Sequence, residues 1–205
     1  MHTVERACAL DLGWLLIVDY DNGRARLLSP TAAQEWARTS AVAPVPRIGW
    51  EPSWSTHEVS LAWEPVPRPG RRALFTAALG VAVMSIAARI GARRKRMRRM
   101  LAVVRWACAW ARRPASTAVA AETVNAVRYW GFVPWRMACL ESSVATVVAL
   151  TLQGRSVSWH HGVRCDPIVL HAWVSVTGTP VGEPVSTLRC TTLETITSQT
   201  NEEHP

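Results

Sequence analysis

At 205 residues, 49% hydrophobic and 19% charged, the chain has apolar material for one well-buried domain with or without a small appendage, and it falls outside the disordered and fibrous classes. The net charge of +8 is carried by arginine apart from Lys95, and arginine, alanine and valine richness also follows from a GC-rich coding sequence, so charge alone assigns no partner. Five cysteines (Cys8, Cys108, Cys139, Cys165, Cys190) are odd in number and irregular in spacing, with no C-x-x-C pair. That argues against a disulfide framework. Met1–Leu10 carries Glu5 and Arg6 and has no long apolar region, so no secretory signal opens the sequence. A reducing, cytoplasmic setting with free thiols is the expectation.

Residues 1–43 read as a small β-hairpin and a helix. Trp14–Val18 is a buried-strand run, Asp19–Gly23 a turn in which Asn22-Gly23 accepts positive φ, and Arg24–Leu28 the returning strand. Ser29 is placed to cap a helix, with Pro30 at its first position and Thr31–Arg38 as its body. Residues 44–70 hold six prolines, from Pro44 to Pro69, which oppose regular structure. Trp50, Trp54 and Trp63 make this segment too aromatic for a free linker, and the expectation is an arm draped over a surface.

Residues 71–113 are the most helical stretch. Ala73–Ala88 has no charge, but a membrane span takes about 20 apolar residues. This shorter run, rich in small residues, favours a core helix. Arg93–Arg99 is a dense basic cluster that reads as a solvated helix face, or as a site for an anionic membrane surface or an acidic peptide. Nucleic acid is excluded from the expected partners, since no recognised binding motif accompanies the cluster.

Residues 114–205 carry the chemistry. Val133-Pro134-Trp135 leads into a helix whose Leu140, Val144, Val147, Val148 and Thr151 share a face, with Gly154 closing it. Ser156–Val163 and Ile168–Val176 follow as strands, separated by Asp166-Pro167. Thr177–Thr179 is a turn, Val181 onward another strand, Leu188–Ile196 a further one, and residues 197–205 a polar tail. The fold class is α+β.

Cys139 lies near the start of the apolar helix, three residues after Arg136. A helix N-terminus, a cation and a histidine each lower a thiol pKa, and a thiolate needs the least activation of any side-chain nucleophile. Should Pro134 begin the helix, Cys139 lies more than a turn inside and the dipole effect weakens. The plain alternative is a small buried thiol. His171 stands in an otherwise apolar strand, where its ring needs a partner or a task, and it shares a face with Trp173 and Ser175. Glu183 is the candidate orienting acid, with Asp166 as its rival. Strand parity bears on the choice. A two-residue turn at Thr177-Gly178 puts Glu183 on the face opposite His171, whereas a three-residue turn or a bulge brings it to the same face. His160, His161, Cys165 and His171 fit no standard zinc spacing, and no metal or cofactor is expected.

The motifs Arg136-x-x-Cys139-Leu140-Glu141-x-Ser143-Val144-Ala145, Leu152-x-Gly154, His161-Gly162-Val163-Arg164, Leu170-His171-Ala172-Trp173-Val174 and Pro180-Val181-Gly182-Glu183-Pro184 together closely resemble the lasso-peptide biosynthesis B proteins. More particularly they resemble that family's transglutaminase-like cysteine-protease domain, over about residues 71–196. The resemblance implies a papain/transglutaminase-like core, a nucleophile helix packed on a small antiparallel sheet. It implies a leader peptidase with Cys139 as nucleophile, His171 as general base and acid, and Glu183 as orienting carboxylate. The implied partners are a ribosomally made precursor peptide and an ATP-using cyclase of the asparagine-synthetase type that closes the macrolactam. Residues 12–40 resemble, more weakly, the opening of a PqqD-like precursor-recognition element that prolines cut short at Pro44, which makes a separate leader-recognition protein a further expected partner. The rival expectations are a transglutaminase-like acyl transferase or amidase, and a non-catalytic partner that binds membrane or peptide through Ala73–Arg99.

Overall fold

The computed structural model describes residues 5–46, 68–130, 137–165 and 167–198. The expected hairpin forms as β2 (Leu15–Asp19) and β3 (Arg24–Leu28), and an unexpected strand, β1 (Glu5–Ala9), extends it to a three-stranded antiparallel meander in the order β1-β2-β3. The Asp19–Gly23 turn forms as read, with Gly23 at φ 64° and the Asp19 carboxylate accepting the Asp21 and Asn22 N–H groups. Helix α1 (Pro30–Thr39) begins at the expected proline, although the Ser29 side chain makes no capping bond.

β2 is buried on both faces, and this ties the meander into the rest of the chain. Leu15 and Ile17 pack with Trp36 and Val42 beneath α1, while Leu16 and Val18 join the main core. The expected arm, residues 44–70, lies mostly outside the described residues, Trp50, Trp54 and Trp63 included. Its first residues are ordered against β1: Ala9 N–H donates to Val45 O and Val45 N–H to Ala7 O.

Two helices, α2 (Arg71–Arg89) and α3 (Arg96–Trp110), fill the region read as most helical. A third, α4 (Thr117–Trp130), was not legible as a separate element. All three surround α5 (Cys139–Leu152), whose residues from Ser143 to Leu150 are buried without a break. A helix apolar on every side is stable only when enclosed. Gly80 of α2 is where the enclosure is tightest, because a Cβ there would come within 2.4 Å of the Ala145 carbonyl oxygen.

The short parallel pair β4 (Arg113–Pro114) and β5 (Arg155–Ser156) ties the start of α4 to the end of α5. Gly154, at φ 73°, turns the chain out of α5 as expected. The main sheet follows: β6 (Ser158–Arg164), β7 (Val169–Val176), β8 (Thr179–Pro180) and β9 (Thr191–Ile196), in spatial order β8-β7-β6-β9 and antiparallel throughout. The strand expected from Val181 onward does not form, since β8 ends at Pro180, and a 3-10 turn, Val185–Arg189, occupies the start of the expected final strand. The arrangement is α+β, with α5 packed between three helices and β7.

Two contacts fasten the meander to the main sheet. The Tyr20 hydroxyl and His161 Nδ1 share a 2.7 Å hydrogen bond in a buried position. Glu194 on β9 takes Arg6 at 2.8 Å and Arg105 at 3.2 Å.

Candidate active site

Cys139 is the first residue of α5, with Ala138 at the cap position. This removes the concern that the thiol sits a full turn inside the helix. The first-turn N–H groups of a helix have no intrahelical partner, and they favour negative charge at that end. Glu141 fixes the turn: its Oε2 accepts the Ala138 N–H at 2.6 Å, and its other oxygen pairs with Arg96 of α3. Ser143, one turn on, gives its hydroxyl hydrogen to Leu140 O and receives the Trp159 indole N–H at 2.9 Å. The helix start is therefore bound to α3 and to β6 independently of the cysteine. Arg136, the expected nearby cation, lies outside the described residues.

β7 brings His171 to that helix start. Cys139 Sγ lies 4.0 Å from Leu170 O, and the Ala172 N–H donates to the sulfur. The His171 ring is hydrogen-bonded on both sides, to the Cys139 thiol and, through Nε2, to Glu183 Oε2 at 2.8 Å. Nδ1 is thus the ring nitrogen left to the thiol. Trp173 stacks on His171 with the rings 5.8 Å apart, and His160 stacks on Trp173. Gly162 pairs with His171 across the sheet, and a side chain there would strike Thr191 O at 2.5 Å. The backbone behind the imidazole is accordingly close-packed.

Glu183 reaches His171 by a route that strand parity does not describe. The turn is the two-residue form, with Thr177 at φ 49° and Gly178 at φ 82°, so that Val176 pairs with Thr179. Continued as a strand, that register would send Glu183 to the wrong face. The pairing instead ends where Val181 N–H donates to Val174 O. Gly182 then takes φ 65°, and the chain leaves the sheet. A Cβ at Gly182 would meet Val124 Cγ1 of α4 at 2.9 Å, so glycine is required for space as well as for backbone angle. Glu183 consequently sits in a loop, with Arg128 Nη2 at 3.4 Å from Oε1 and the Thr187 hydroxyl at 3.4 Å from Oε2. Asp166, the rival acid, lies outside the described residues.

The electrostatics follow from this geometry. Burial opposes ionisation of the Cys139 thiol, but the His171 hydrogen bond, the Ala172 N–H, the imidazolium charge and the Leu140 N–H together hold it below its ordinary value. Cys108 and Cys190, which are buried without such donors, are pushed up to about 11. The hydrogen bonds of His171 to Cys139 and Glu183 lift the imidazole, against burial, to about 9. The lowered thiol and the raised ring both shift the balance toward a thiolate–imidazolium pair.

A cavity of about 190 Å³ opens beside the three groups, lined further by Val124, Arg128, Met137, Ser142, Ser143, Thr146 and Val174. Arg128 was not singled out from the sequence, since its place on an unread helix gave no signal. Of the four residues weighed as zinc ligands, His161 is buried under Tyr20, and His160 points to the opposite face and bonds Ser175 and Thr195. Among the described residues no group of three or more such side chains is placed to hold a metal ion.

This arrangement, a thiol held below its ordinary pKa at a helix start with a histidine–carboxylate pair on the adjoining strand and loop, suits nucleophilic acyl chemistry. No curated protein and no solved structure matched the chain in the comparisons made. A family model, described as the transglutaminase-like superfamily, matches residues 82–195, the span that includes α5, the main sheet and all three groups. On that match, over more than half its length, the chain belongs to the transglutaminase-like superfamily.

Proposed function

We propose that the protein is a cysteine peptidase that removes the leader from a ribosomally made lasso-peptide precursor. The observation that carries the reading is the His171 imidazole held between the Cys139 thiol and the Glu183 carboxylate. The precursor class rests on the motif resemblance around Cys139, His171 and Glu183.

In this reading the Cys139 thiolate attacks the carbonyl carbon at the leader–core junction. The oxyanion forms at the start of α5, where backbone N–H groups point outward. The His171 imidazolium gives its proton to the leaving amine, the C–N bond breaks, and the core peptide departs with a free amino terminus. The leader remains as a thioester on Cys139. Neutral His171 then takes a proton from water, the hydroxide attacks the thioester, and the thiolate leaves as the leader acid is released. Glu183 holds the ring and stabilises its charged form at both stages. The freed core amine is the nucleophile that a cyclase of the asparagine-synthetase type needs, which supports a shared cytoplasmic complex. Residues 1–43 fit a degenerate recognition segment, with a separate leader-recognition protein supplying the rest.

The test is to incubate purified protein with a leader–core peptide and weigh the products. Free leader acid and free core are expected from the native chain, and neither from Cys139→Ala at unchanged circular dichroism. Cleavage that survives in Cys139→Ala ends the peptidase reading. A product that joins the leader to an added amine moves the assignment to acyl transfer.

A further inference from the structure

Helix α2 shows the solvent an apolar stripe. Between its terminal arginines, the exposed residues of α2 are Phe75, Leu79, Ala82 and Ile86, at spacings of four, three and four, and Ile90 continues the line past the helix end. Phe75 is 66% exposed, Ile86 57% and Ile90 63%. A surface helix ordinarily turns charged and polar residues outward. Here the polar face is missing, and the stripe runs for roughly 20 Å at 1.5 Å per residue. Scattered exposed hydrophobes need no explanation, but a continuous line of them marks an interaction surface.

Basic residues stand at both ends. Arg71 and Arg72 are exposed at the helix start, and Arg89, Arg93, Arg94 and Lys95 are exposed at its end. The corner carrying the second group is rigidly held, because Arg99 donates to Ala87 O at 2.8 Å and to Ala92 O at 3.0 Å. No acidic residue occurs in α2 or from Arg93 to Arg99. We propose that this stripe docks the protein on an anionic membrane surface, with α2 lying in the plane of the interface.

Three considerations select that occupant. A second copy of the chain is disfavoured, since two α2 stripes laid face to face bring arginine ends together in either direction. A protein partner ordinarily contributes hydrogen bonds across the contact. The exposed side chains between Phe75 and Ile86 are all hydrocarbon and can make none, whereas acyl chains ask for none. A spanning helix is excluded by packing, although α2 is long and apolar enough to cross a bilayer by composition. Its other face, with Ala73, Ala77, Gly80 and Met84, is buried against the core, and Gly80 lies in near-backbone contact with α5. Lying in the interface keeps that packing and lets the arginines meet lipid phosphates. The exposed Trp130 donates its indole N–H to Leu74 O at 2.9 Å and places an amphipathic ring beside the stripe.

The test is co-sedimentation of the full chain with phosphatidylcholine vesicles, with and without phosphatidylglycerol. Binding to the phosphatidylglycerol vesicles, weakened tenfold or more by high salt, is expected. Ile86→Glu should abolish it at an unchanged thermal midpoint. Should that variant not fold, Arg93→Glu with Arg94→Glu should cut the affinity tenfold or more. Cys139→Ala should bind as the native chain does, so that loss of the peptidase reading leaves this one standing. The proposal is overturned if the folded native chain ignores the anionic vesicles. It is overturned equally if Ile86→Glu binds as tightly as the native chain, or if the stripe proves to drive self-association in place of lipid binding.

Discussion

Two histidines on neighbouring strands, His161 buried and His171 half-buried, have opposite chemistry. His171 on β7 faces a thiol and a carboxylate and is held up to about 9. His161 on β6 faces the Tyr20 hydroxyl, and burial, then the charge of His171, push it down to about 4. Trp rings stack on both, with Trp159 on His161 and Trp173 on His171. Aromatic packing therefore does not separate an acid–base group from a structural one. The groups that accept a hydrogen bond from the charged ring do. The cleft supplies anions, and the seam between meander and sheet supplies a neutral phenol.

The comparison breaks most visibly at Glu183. Glu183→Gln removes the anion and keeps the shape. A fall in kcat/KM on the order of 10²-fold is expected, together with an alkaline limb displaced to lower pH, read from a rate profile on a leader–core peptide. A limb that stays near 9 would show that Glu183 does not hold the proton on the ring.

The seam gives the next effect, in stability. The folded value of His161, about 4, is below its ordinary 6.5, so the unfolded chain binds the extra proton between those limits. Its contribution is complete above about pH 6.5 and is lost as pH falls toward 4. His171 has the reverse sign: its contribution is complete below about 6.5 and is lost as pH rises through about 9. Denaturant melts should show acid loss of about 3 kcal/mol that is flattened in His161→Leu, while the alkaline loss remains. An equal acid slope in that variant would place its origin elsewhere.

Arg128 sharpens the picture at the smallest scale. It is 46% exposed and 3.4 Å from Glu183, an ion pair of the kind worth less than about 1 kcal/mol. Arg128→Met should change kcat/KM by less than about fivefold. A loss near that of Glu183→Gln would mean that Arg128 contacts the substrate.

The local elements were legible where turn chemistry marks them: Asn22-Gly23, Ser29-Pro30 and Gly154 each end or begin an element as their backbone preferences require. Cys139, His171 and Glu183 were legible as reactive types in a suggestive order, and the chain brings them together. The path of Glu183 was not, because parity presumes a continuous ladder and Gly182 interrupts it. β1 was missed because Glu5–Ala9 is short and has no clean alternation, and only pairing with β2 makes it a strand. α4 was not legible because its buried side is made of small and β-branched residues, Ala120, Thr123, Val124, Ala126 and Val127, which mark no distinct apolar stripe. The hydrogen bond between Tyr20 and His161 joins residues far apart in the chain, and no local pattern announces such a partner.

Gly182 also changes what the hairpin above it is free to do. On a regular strand, each residue gained or lost sends every later side chain to the other face. Glu183 is released from that constraint, since its position is set by the Gly182 bend and by Arg128 and Thr187 below the last rung. The exposed tip at Thr177-Gly178 can then lengthen at a small loop-closure cost, with Ser175 still opposite Pro180 and the carboxylate still against the ring. Variation at the tip is in this way uncoupled from the chemistry, and length polymorphism there is compatible with an unchanged site.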